Sequence, residues 1–244
     1  MRLSTFIPLL LAFFAGTSQA TEPATVLDQV LELAGVRLLC EQTAPLLQRG
    51  MPAEQQKQLS QVFAAGPLCA ELTQKLSREL PKAQLDEALK LLNSPLAQHF
   101  TAAERAVGTD GGLAAYRAQL GERPPRADRL QLVQRLDKAA HTTELATLLR
   151  YEVGKTQAVL TLRSRGKNID EKALSEQTAG QVERLRASSA SGVEAFMLYA
   201  YRSTPSEKLS EYAALYEQDS LRAVLDASVR TLPTLFAARR AQLK

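Results

Sequence analysis

Four prolines, Pro52, Pro67, Pro81 and Pro95, recur at intervals of 15, 14 and 14 residues, and they restrict the fold more than any other feature. Proline has no backbone N–H and a fixed φ, so it suits the first turn of a helix and disrupts a helix interior or a central strand. The segments between these prolines are rich in Ala, Leu, Gln and Glu, which are good helix formers. Nowhere does a β-branched run with two-residue alternation appear. The spacing predicts short helices starting at about Pro52, Pro67 and Pro81, and a further one from Pro95 to about Val107, each with proline at its first position. Upstream, a helix is expected from about Ala24 to Gln48, interrupted or ended near Pro45.

"GTDGG" at 108–112 and "GERPPR" at 121–126 break the helical pattern and bracket a short helix, "LAAYRAQL". They divide the chain into an N-terminal half, 21–121, and a C-terminal half, 122–244. The second half opens with a long amphipathic stretch from about Ala127 to Leu162. Its stripe runs through Leu132, Val133, Leu136, Ala139 and Ala140 to Leu145, Leu148, Leu149 and Val153. After the turn "RSRGKN", Asp170 is placed to cap the next helix. "GVEAFMLYAYRS" is apolar nearly all round and reads as a buried central helix.

In "STPSEKLSEY", Thr204 fits an N-cap, Pro205 the first helical position and Glu207 the third, a capping box. Leu209, Tyr212, Ala213 and Tyr216 then share one face and are expected to fold back on Phe196 and Ala200 as an αα-hairpin. Ser94 and Pro95 repeat this logic without the acidic third residue. Setting Pro95 against Pro205 gives an offset of 110, and Ala34 against Ala139 one of 105, which leaves open whether the halves are a duplication. The expected fold is all-α, a multi-helix bundle of short proline-started helices.

"LYAYRSTPSEKLSEY" resembles a pattern in exported bacterial helical proteins carrying the domain of unknown function 2059, in which an aromatic-rich helix ends in a (F/Y)-Y-x-(S/T)-P-x-G-x-K-L turn. Tyr201, Thr204, Pro205, Lys208 and Leu209 carry the likeness, over about residues 193–230. The glycine of that pattern is replaced, with Ser206 and Glu207 standing there. The resemblance implies a divergent member of a periplasmic, Gram-negative family and brings no catalytic residues.

The start of the chain agrees with export. Arg2, the apolar run Phe6–Ala15 and small residues at Ser18 and Ala20 form a signal peptide, with cleavage expected after Ala20. That run is too short to span a bilayer, which takes about 20 residues, and no later stretch is long and uncharged enough to do so. The net charge of +4 is spread among interleaved acidic residues, which argues against nucleic acid. The one basic cluster, "ARRAQLK", raises the option of contact with anionic membrane surfaces. In an oxidising compartment the two cysteines, Cys40 and Cys69, are expected to form a structural disulfide.

Reactive constellations are scarce. His141 and Glu144 sit three apart without the further ligands a metal needs, His99 has no metal-ligand spacing, and no cofactor motif appears. Tyr151, Phe196, Tyr199, Tyr201, Tyr212 and Tyr216 form the candidate surface for a ligand or partner. The expected function is non-catalytic: an exported helical protein binding an envelope protein or an apolar ligand. The alternative is a peptidoglycan-acting hydrolase using a lone carboxylate, with Glu194 as its candidate.

Overall fold

A computed structural model describes residues 25–243; the expected signal peptide lies outside them. The described residues are all-α, with thirteen helices and no strand, and form a multi-helix bundle. The first half comprises α1 (Val26–Leu33), α2 (Arg37–Gln48), α3 (Ala53–Val62), α4 (Ala65–Leu76), α5 (Lys82–Leu92), α6 (Pro95–Asp110) and α7 (Leu113–Gln119). The second comprises α8 (Ala127–Ala139), α9 (Thr142–Arg163), α10 (Glu171–Thr178), α11 (Val182–Ala200), α12 (Ser206–Tyr216) and α13 (Asp219–Ala241), with a 3₁₀ turn at Ala179–Gln181. No described helix is long and apolar enough to cross a membrane. Buried residues of both halves belong to one hydrophobic cluster, from Leu27 to Leu243.

The prolines mark helix starts, but mostly from one position earlier than expected. Only Pro95 stands first in its helix, while Pro52, Pro81 and Pro205 are N-cap residues with extended backbone and Pro67 is third in α4. The expected break at Pro45 falls instead at Gly35, whose φ of 76° few other residues adopt readily. Pro45 itself is exposed within α2, where water can serve the carbonyl its missing N–H leaves free. The stretch 127–162 is likewise two helices. They meet at His141, the one non-glycine residue with positive φ (53°) among those described. Asp137 holds this corner by accepting from both the amide and the hydroxyl of Thr143, each at 2.7 Å. Asp170 caps α10 as expected, through Ala173 N at 2.8 Å.

The two caps at the joints reverse the expectation. Ser94 accepts from the amide of Ala97 at 3.2 Å. The capping box at Thr204 is not formed. Pro205 holds an extended ψ of 144° and its carbonyl takes the first helical bond, from Leu209 N at 3.1 Å, so α12 begins after Thr204 has gone by. Nor do α11 and α12 form a packed hairpin, because α12 lies chiefly against α8 and α6. Two arginines of α8 hold it there. Arg129 donates to the carbonyl of Tyr201, and Arg135 makes a two-pronged bond to Glu217, 2.7 Å on each arm, and reaches Ser210 at 3.0 Å.

The backbone follows one course twice, in a register the joint motif does not reveal. Pro205 lies 124 residues after Pro81, and at that offset α5 matches α12 from first residue to last. The turn bonds repeat as well. Ser77 N to Thr73 O corresponds to Tyr201 N to Met197 O, and Asn93 N to Leu89 O corresponds to Glu217 N to Ala213 O. Leu85 and Leu209, Ala88 and Tyr212, Leu92 and Tyr216, and Phe100 and Val224 are paired buried positions. Each half lends its last long helix to the other, since α6 packs on α11 and α12, and α13 packs on α4 and α5. This exchange ties the halves into one core.

Candidate functional site

Where α6 crosses α11 and α12, the structure brings together Glu104, Phe100, Tyr201, Tyr212 and Tyr216. Phe100 and Glu104 are four apart and so share a face of α6, as Tyr212 and Tyr216 share one of α12. Phe100 stacks on Tyr212, with centroids 4.0 Å apart and planes at 12°, and meets Tyr201 edge-on at 5.0 Å. The Tyr201 hydroxyl donates to Glu104 Oε1 at 2.5 Å. The Tyr212 hydroxyl reaches the same carboxylate and lies 3.4 Å from that of Tyr216.

Glu104 as a residue is half-buried, but its carboxylate lies among these rings, all four of which are 7% exposed or less. Burial pushes its pKa up, and the bonds from Tyr201 and Tyr212 pull it partly back. Burial likewise drives the hydroxyls of Tyr201 and Tyr212 well above the ordinary range, reinforced by the neighbouring carboxylate. A carboxyl whose pKa burial raises is the starting material from which enzymes make a general acid. The equivalent positions in the other crossing are Ser228, Val224, Ser77 and Ala88, and Ser228 simply bonds back to the Val224 carbonyl at 2.8 Å. The polar-aromatic cluster therefore belongs to one of the two crossings alone. No local pattern announces Glu104, whose partner Tyr201 is 97 positions away.

The candidate surface residues are placed otherwise than expected. Tyr199, Tyr201, Tyr212 and Tyr216 are buried, Tyr201 to 1% exposure, so they form core rather than a face open to a partner. Phe196 and Tyr151 are half-buried, and the Tyr151 hydroxyl bonds Thr178 Oγ1 at 2.9 Å. Glu194 is half-buried on α11 and accepts from Gln134 Nε2 at 3.2 Å. His99 is exposed against Phe100. His141 lies between two carboxylates, Glu144 at 2.6 Å and Asp226 at 3.1 Å. Among the described residues no group of three or more His, Cys, Asp or Glu side chains could hold a metal.

A second polar cluster was invisible in the sequence. Arg240, 2% exposed, bonds Glu152 Oε2 at 2.5 Å and takes both oxygens of Glu171, at 2.6 and 3.0 Å. Lys155, 5% exposed, bonds Glu171 and also Ser175 at 3.0 Å. Two cations and two carboxylates thus balance where α9, α10 and α13 meet. Arg239 is engaged too, with Glu71 at 2.9 Å and the carbonyls of Val62 and Pro67 at 3.2 Å. The arginines of the basic tail are therefore internal struts, which removes the basis for membrane contact through them.

Cys40, fully buried on α2, and Cys69, half-buried on α4, are free thiols that hydrogen-bond each other. That bond, with burial, drives the Cys40 thiol up, while the same bond holds Cys69 below the ordinary thiol range. Two shallow open grooves mark the surface, one of about 330 Å³ between α4 and α13 and one of about 360 Å³ between α5 and the start of α13. Comparison with protein-family models, curated proteins and solved structures finds no match.

Proposed function

We propose that this chain is an exported, non-catalytic helical protein that works in the periplasm by binding a partner protein, and that it is a divergent relative of the proteins carrying the domain of unknown function 2059. One observation carries this reading. Two carboxyls whose pKa burial raises, Glu104 and Glu152, are tied to Tyr201 and Arg240 as struts between helices far apart in sequence. Such struts favour a rigid body that presents fixed surfaces. The apolar-ligand version draws less support, because the aromatic rings pack on each other. Export rests on the leader-like first twenty residues.

Crosslinking in cells followed by affinity capture tests the reading. The expected result is one envelope protein retained in near-equal amount; capture of none removes the reading's content. The raised carboxyl of Glu104 favours a second reading, an envelope hydrolase with Glu104 in place of Glu194. Peptidoglycan digestion that disappears in a folded Glu104→Gln variant would promote it, and an unchanged digestion profile would end it.

A further inference from the structure

We infer that the groove between the end of α4 and α13 is the seat for an acidic peptide segment of a partner protein, an inference that rests on the partner-binding reading above. The internal repeat identifies the groove. Its walls are Lys75, Arg78 and Glu79 on one side and Arg230, Thr231 and Thr234 on the other. At the offset of 124, Lys75, Arg78 and Glu79 correspond to Tyr199, Arg202 and Ser203, while Arg230 and Thr231 correspond to Ala106 and Val107. The groove is thus the α4–α13 version of the α11–α6 crossing.

In the α11–α6 crossing that place is occupied. The chain turns back at Gly111, with φ of 64°, and lays α7 on α11. Tyr116 packs on Tyr199 at 5.3 Å, and Arg117 Nη2 donates to the Gly192 carbonyl at 3.1 Å. Gly112 passes so close that a Cβ there would run into the Tyr199 hydroxyl. In the α4–α13 crossing, α13 continues straight through the equivalent of Gly111, Leu235, as far as Ala241. Its last turns lie against the middle of α4, where Arg239 bonds the Pro67 carbonyl and Glu71, and beside the end of α4, where Tyr116 covers Tyr199 in the other crossing, an open groove of about 330 Å³ remains.

The chemistry of the walls selects the occupant. Three cations face one carboxylate. Glu79 is 3.8 Å from Arg230, and neither Lys75 nor Arg78 has an ion-pair partner among the described residues. Where Tyr199 offers a ring to Tyr116, Lys75 offers an ammonium. Where Arg202 lies over the Tyr199 ring, 3.9 Å from its centroid, Arg78 has no ring beneath it among the described residues and presents its guanidinium fork to the groove, the geometry that takes carboxylates in two-pronged fashion. A short segment carrying Asp or Glu matches both the groove and its charge.

The test places the photoreactive p-benzoylphenylalanine at Glu79 in the full chain, in cells, and sequences the crosslinked peptide. The expected product is an acidic segment of a single protein. Its yield should fall at least tenfold in Lys75→Glu/Arg78→Glu, a double variant at one half-buried and one exposed position whose melting temperature is checked in parallel. Crosslinks to lipid, to a second copy of this chain or to a basic or apolar segment overturn the inference, as does a yield that charge reversal leaves unchanged. The two failures are separable. If whole-protein capture retains the same partner with wild type and the double variant alike, the groove inference fails and the partner-binding reading stands. If no partner is captured by either, both fail.

Discussion

Tyr201 and Glu104, 97 residues apart, meet in a hydrogen bond of 2.5 Å where α6 of one half crosses α11 of the other. The bond closes the exchange of helices between the halves, and it leaves a carboxylate among stacked rings with two tyrosine hydroxyls as its company. Removing either partner strands the other. Tyr201→Phe should lower stability by about 1–3 kcal/mol, the usual cost of a buried group left short of its bond. Glu104→Leu should cost a similar amount through the orphaned hydroxyl, whereas Glu104→Gln keeps an acceptor and should cost less. Urea unfolding curves compare the three, and equal losses for Gln and Leu would contradict this account.

The same carboxylate sets a pH dependence. Burial raises the Glu104 pKa in the folded state above its unfolded value, so the folded protein holds this proton more tightly. Its contribution to stability is complete below the unfolded value. It is lost as pH rises from there through the raised folded value. Urea midpoints measured across that window should decline with rising pH in the wild type and decline less in Glu104→Gln.

Arg240, almost wholly buried, neutralises the buried Glu152 and the half-exposed Glu171. Arg240→Met leaves Glu152 buried with only the longer contact to Lys155, 3.9 Å, and should cost about 3–5 kcal/mol; Arg240→Met/Glu152→Leu should recover part of that loss. For Glu171, burial works upward, but the bonds from Arg240 and Lys155 outweigh it and hold the carboxylate below its ordinary range. Its contribution is therefore present above the unfolded value and disappears as pH falls through the lowered folded one. Thermal melts at acid pH should show this loss in the wild type and a smaller one in Arg240→Met.

The two proline joints separate cap from turn. Ser94→Ala removes a cap bond and should cost about 1 kcal/mol. Thr204→Ala removes no cap bond and should stay within about 0.5 kcal/mol. A larger loss at Thr204 would mean that its hydroxyl caps α12 after all.

The thiols of Cys40 and Cys69 are in contact across α2 and α4. In protein prepared from an oxidising compartment they should be joined, and thiol titration of the unreduced, denatured chain should find neither free. Closing this loop should stabilise the fold by about 3–4 kcal/mol in the chain-entropy account. Cys69→Ser should lower the urea midpoint accordingly, and no change would show that the bridge is absent.

Secondary structure was legible because its causes are local. Helix-forming composition, proline and glycine punctuation and the cap at Asp170 act within a few residues, and they delivered an all-α chain with its joints nearly in place. The apolar stripe through Val133, Leu136, Leu145 and Leu149 is likewise buried as its spacing requires. Local rules slipped where two competed for one position. Gly35 outweighed Pro45, and the Pro205 carbonyl started α12 one residue past its expected cap.

What touches what was decided only in three dimensions. The match of Pro81 with Pro205 emerges when turn bonds and burial are aligned, since few side chains repeat between the copies. The sealing of Tyr201 around Glu104, of Arg240 between Glu152 and Glu171, and the groove beside Arg78 all follow from helices crossing between halves. A crossing is set by packing free energy summed over surfaces distant along the chain, and no window of sequence contains both sides of it.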